Sequence, residues 1–139
     1  MKTRVLLSML LLLCTAISFA QNKVQLVGTW KLISGKITSG DSTSTYGEKT
    51  DNAMKIVTPS HFAVVSKNVS TDSLQHAVAG TVEMDDKNYT ERIEYCSFQN
   101  MVGKTAKFTY RVESDKWYVK GGIENVMTLE EVWQRVKSQ

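Results

Sequence analysis

The chain has 139 residues, a formal charge of +3 and 42% hydrophobic residues, with a single proline. That length suits one domain with a core of its own and leaves no room for a second. Basic and acidic residues alternate without forming runs, so the charge pattern points neither to nucleic acid nor to an anionic membrane surface as partner.

Residues 1–20 read as a secretory signal peptide. Lys2 and Arg4 make a basic start, residues 5–13 form an apolar run too short to span a bilayer, and the small residues Ser18 and Ala20 fit cleavage after Ala20. The expectation is an exported chain, periplasmic or secreted, with residues 21–139 as its single domain and no membrane span. Lipid anchoring at Cys14 is disfavoured, because Leu13 directly before it is too bulky for lipoprotein processing. Losing Lys2 and Arg4 leaves the mature chain near neutral. Only Cys96 of the two cysteines survives cleavage, so no internal disulfide forms. It reads as a small, half-buried strand residue, with a reactive or dimer-forming thiol as the alternative.

The first strand covers residues 26–34, with Leu26, Trp30 and Leu32 on one face. Residues 35–51 turn to Gly, Ser and Thr with scattered charges and read as a long loop over the rim, either a lid or an insertion without a role. Residues 54–58 and 61–66 flank Pro59-Ser60 as a hairpin. A strand over 76–84 places His76, Val78, Gly80, Val82 and Met84 together and ends at the Asp85-Asp86-Lys87-Asn88 turn. Residues 89–96 alternate Tyr89, Glu91, Ile93 and Tyr95 against polar partners, so an apolar face carries a glutamate. Residues 105–113 give the cleanest period of two, with Ala106, Phe108, Tyr110 and Val112 facing the core. Trp117 and Val119 share a face in 116–120, which Gly121-Gly122 breaks. The last strand, over 127–136, puts Met127, Leu129, Glu131, Trp133 and Arg135 on one side.

Eight short strands without helical crossovers predict an all-β domain, an eight-stranded antiparallel up-and-down barrel with space for one small ligand. The Gly28-Thr29-Trp30 motif in the first strand, joined to Glu131-Val132-Trp133-Gln134-Arg135 in the last, resembles the lipocalins. With Lys55-Ile56-Val57-Thr58 and His61-Phe62 it is similar more specifically to the small secreted bacterial lipocalin-like domains, over most of the mature chain. Ser114-Asp115-Lys116-Trp117-Tyr118 stands loosely where lipocalins carry a Thr-Asp-Tyr turn. The resemblance implies that Gly28, Trp30 and Arg135 form a structural motif in which the arginine covers the tryptophan and closes the barrel floor.

The candidate ligand-binding residues are Tyr89, Glu91, Tyr95, Tyr110, Trp117, Trp133 and Arg135. A buried arginine offers a forked donor for a carboxylate, and the tyrosines add hydroxyls. This is similar to the logic of fatty-acid-binding proteins, although here Trp-x-Arg replaces their Arg-x-Tyr. In the structural alternative, Arg135 stacks on Trp30 and pairs with Glu131 or Glu91. Met54, Phe62, Met84 and Phe108 join the tryptophans as pocket wall or as solid core. His61, His76 and Cys96 lie at no metal-site spacing, and no nucleotide or hydrolase fingerprint is present, so neither metal nor cofactor is expected.

Three readings follow. The first is a non-enzymatic domain binding a small apolar or amphipathic ligand inside the barrel. The second is a filled-core barrel that serves as an interaction module. The third is a hydrolase or isomerase using His61 and Glu91 as an acid/base pair. The sequence leaves the oligomeric state open.

Overall fold

The computed structural model describes residues 25–137; the signal-peptide reading and Cys14 lie outside them. The strands are β1 (Gly28–Ser39), β2 (Ser42–Gly47), β3 (Asp51–Val57), β4 (His61–Asn68), β5 (Leu74–Met84), β6 (Asn88–Cys96), β7 (Thr105–Glu113), β8 (Lys116–Ile123) and β9 (Met127–Arg135), with a 3-10 turn at Gln99–Met101 between β6 and β7. Each strand from β3 onward pairs antiparallel with the next, and β9 returns to pair with β1 along residues 30–38. The sheet is thereby closed. Closure removes most open edges; among the described strands only β2 pairs with a single neighbour, β1.

The stretch expected to be a rim loop, residues 35–51, is a hairpin instead. Residues 34–39 of β1 pair with β2, while residues 28–31 pair with β3 on the same edge. β2 and β3 therefore act as one strand position interrupted by a turn at residues 48–50, and the closed barrel has eight positions. The Ser- and Thr-rich composition masked the strand because most of β2 is exposed and carries no apolar stripe. The turn is held by the Glu48 amide donating to the Ile33 carbonyl at 3.1 Å and the Thr50 amide donating to the Gly47 carbonyl at 2.8 Å.

Bulges decide which side chains enter the interior. Ile33 is the extra residue of β1 against β9, so Trp30 and Leu32 face inward before it and Gly35 and Ile37 after it. Glu94 is the extra residue of β6: Ala79 pairs with Tyr95 but Gly80 pairs with Ile93. Gly80 is required there, since any Cβ would run into the Arg92 carbonyl. Gly121-Gly122 does not end β8, which continues to Ile123. A side chain at Gly121 would meet the β7 backbone at Lys107 and Phe108, so the glycine lets two strands approach closely.

One end of the barrel is plugged by aromatics. Trp30 and Trp117 meet edge to face at 5.3 Å between centroids, and Tyr89 meets Trp117 at 5.1 Å. The Trp30 indole donates to the Leu26 carbonyl at 2.9 Å. Beneath Trp30 the Arg135 guanidinium stacks 4.1 Å from the ring centroid, donates to the Val27 carbonyl at 3.0 Å and also bonds the Gln25 carbonyl. Gly28, at φ 142°, leaves space for it; a Cβ there would stand 2.7 Å from Nη1 of Arg135.

Candidate functional site

Above the aromatic plug the barrel encloses a cavity of about 640 Å³. The interior is therefore not filled, and the volume lies in the range of small-molecule sites. Its walls are mainly aliphatic and aromatic, among them Leu32, Ile37, Phe62, Ile93, Phe108 and Leu129. Toward the mouth they give way to exposed residues such as Phe98 and Asn100.

The polar groups are few and placed at three levels. At the bottom, Lys55 of β3 and Glu91 of β6 form an ion pair at 2.8 Å, their side chains 5% and 8% exposed. The ammonium also lies 5.1 to 5.9 Å from the ring centroids of Phe62, Tyr89, Trp117 and Trp133. A carboxylate and an aromatic cage together offset the loss of water around that charge. On the wall, Glu131 of β9 accepts from the Tyr46 hydroxyl at 2.6 Å and from the Trp133 indole N–H at 3.0 Å. Burial, followed by the charge and hydrogen bond of Glu131, holds the Tyr46 phenol far above its ordinary range, so the shared proton stays on the tyrosine. On the opposite side, Ser66 donates to Gln75 at 3.1 Å. Next to Gln75, His76 is shifted down by burial against the opposing charges of Glu131 and Asp51.

Of the expected ligand residues, Glu91 and Trp133 line the cavity. Tyr89 and Trp117 are fully buried in the plug beneath it, where the Trp117 indole N–H finds no hydrogen-bond partner among the described residues and the Tyr89 hydroxyl lies close to the Glu91 carboxylate without ideal hydrogen-bond geometry. Burial and the Glu91 charge hold the Tyr89 phenol far above its usual value. Tyr110 stands at the plugged end, donating to the Asp85 carbonyl at 2.7 Å. Tyr95 is 72% exposed, because the bulge at Glu94 turns it outward and sends Cys96 to the cavity instead. Arg135 lies under Trp30, outside the cavity, and bonds backbone carbonyls where a pairing with Glu131 or Glu91 was expected. Both carboxylates already have other partners. Met54 is outward and 49% exposed. His61 is exposed, its Nδ1 2.8 Å from the Ser60 hydroxyl, and does not meet Glu91.

Lys55, Tyr46, Glu131 and His76 were not among the expected ligand residues. Period two alone does not reveal Lys55, because the apolar Met54 and Ile56 compete for the interior; in the structure Ala53, Lys55 and Val57 are buried while Met54 and Ile56 face out. Tyr46 was hidden in the stretch without periodicity.

The model of a family described as a domain of unknown function, DUF4488, matches residues 25–139. The chain belongs to that family. No curated protein matches the DUF4488 chain in sequence. Among solved structures it is similar to an uncharacterized protein from Bacteroides eggerthii, with 14% identity, TM-score 0.49, and 79% of this chain and 98% of the other covered. It is also similar to a de novo designed fluorescence-activating β-barrel, with 16% identity, TM-score 0.46, and 82% and 96% covered.

Proposed function

We propose that this DUF4488 domain is an exported, lipocalin-like binding protein that holds a small apolar or amphipathic molecule in its barrel without transforming it. The observation that carries the reading is the cavity of about 640 Å³ above a sealed aromatic floor. Apolar walls with a few fixed polar groups are what such ligands require, since burial supplies affinity and the polar groups supply orientation. Keeping a void open forgoes packing that a filled core would gain. A non-catalytic role agrees with Glu91 being engaged by Lys55 and with His61 lying on the outer surface. Export rests on the basic, apolar and small-residue succession of residues 1–20.

The test is native mass spectrometry of the domain purified from its own host, with an Ala106→Trp variant beside it. Ala106 lines the cavity and is 4% exposed, so an indole there intrudes into the void. A small molecule that travels with the wild type and is lost from the folded variant supports the reading. Wild type that emerges empty, and binds no apolar probe when challenged, refutes it.

A further inference from the structure

We propose that the ligand carries a positively charged nitrogen, so that the site takes an apolar amine rather than a fatty acid; this deepens the cavity-binding reading and rests on it. The first ground is the charge lining the cavity. Asp51, Glu91 and Glu131 supply three carboxylates, and the only lysine or arginine among the lining residues is Lys55. That lysine is committed to Glu91 at 2.8 Å. His76, shifted down by burial, adds no positive charge at neutral pH. A carboxylate ligand would have to take Lys55 from Glu91 and leave a buried anion alone, which is expensive. Arg135, the cation that could have gripped an acyl carboxylate, lies on the far side of Trp30.

The second ground is that the protein already solves the problem of an ammonium in this interior. It surrounds Lys55 with one carboxylate and four aromatic rings, Trp133 among them. Higher on the wall the same ingredients recur. Glu131 is fixed by two neutral donors, Tyr46 and Trp133, and none of the ion pairs among the described residues involves it. Each oxygen accepts one of these hydrogen bonds and keeps a lone pair for another donor. Because the Tyr46 phenol keeps its proton, the oxygen facing it remains an acceptor with its charge intact. A half-buried carboxylate held at the N–H edge of an indole and by a phenol, opening on an apolar cavity, is complementary to an ammonium with a hydrocarbon body. The cation would replace by intermolecular contact what Lys55 supplies to Glu91 from within.

Calorimetric titration with decylamine, decanol and decanoate tests this, since the three share a chain and differ in the head. An alkylamine is protonated at pH 7, its pKa being near the lysine value of about 10.4. A charged hydrogen bond in place of a repelled carboxylate predicts decylamine binding at least about tenfold more tightly than decanoate. Glu131→Gln should cost decylamine about tenfold while leaving decanol within about twofold, which also shows that the variant is folded. Decanoate binding as tightly as decylamine overturns the amine assignment and leaves the cavity reading intact. Equal loss of decylamine and decanol affinity in Glu131→Gln overturns it as well, since the effect would then be one of shape. If none of the three binds wild type, the cavity reading falls with it.

Discussion

Arg135 and Trp30, 105 positions apart in the numbering and paired directly across β1 and β9, form a stacked couple with the guanidinium 4.1 Å from the ring centroid. The arginine ties the last strand to the backbone ahead of the first by donating to the Val27 and Gln25 carbonyls. Arg135→Ala removes the stack and strands a carbonyl, so a loss of roughly 2 to 3 kcal/mol is expected. Urea unfolding measures it. Because the guanidinium lies outside the cavity, probe affinity at temperatures where the variant stays folded should not change; a selective loss of affinity would place Arg135 in the binding machinery after all.

The Lys55–Glu91 pair makes a second prediction, in which a double substitution is milder than one of its components. Lys55→Met leaves Glu91 buried without its cation and should destabilise by about 3 to 5 kcal/mol. Adding Glu91→Leu removes the stranded charge and should recover most of that loss, since replacing both members of a buried pair with apolar groups is often neutral. The check is a double-mutant cycle in urea. Additive losses would mean that the two side chains are not coupled as their 2.8 Å contact requires.

The barrel and its closure could be read from the chain because they depend on repetition. Ala106, Phe108, Tyr110 and Val112 alternate without interruption, and Trp30 and Arg135 are distinctive enough to mark the two strands that meet. The site was less legible because it depends on where repetition fails. One extra residue at Glu94 exchanges the roles of Tyr95 and Cys96, and nothing in Ile93-Glu94-Tyr95 marks a bulge. The signal lay in the partner strand, where Gly80 makes room for it. Lys55 was obscured by chemistry of another kind: a lysine between Met54 and Ile56 looks like the exposed residue of the three, yet its inward position is stabilised by Glu91, far away in sequence.

Gly80 accordingly bears on stability more than a strand glycine would. Gly80→Ala pushes a methyl into the Arg92 carbonyl, so β5 and β6 must separate at the bulge. A loss of about 1 to 3 kcal/mol is expected, the usual range for overpacking. Hydrogen exchange should locate the damage, with faster exchange of the amides around Ile93 and unchanged protection in β7 to β9. Uniform loss of protection would show that the barrel opens as a whole and not at this seam.

The buried tyrosines predict how the domain fails in alkali. Tyr46 and Tyr89 have phenol pKa values raised in the folded state, in both cases first by burial and then by a neighbouring glutamate, Glu131 and Glu91 respectively. A group whose folded pKa exceeds its unfolded value binds more protons in the native state. Stability from it is therefore complete below the unfolded phenol value of about 10 and is lost as pH rises beyond that. The expected outcome is that absorbance at 295 nm shows these two of the five tyrosines ionising only together with loss of the far-ultraviolet β signal. Tyr89→Phe should lower the steepness of the alkaline loss, since it removes one phenol whose ionisation burial and the Glu91 carboxylate oppose. All five tyrosines ionising while the β signal persists would show that these phenols are open to solvent, against the enclosed floor and wall of the cavity.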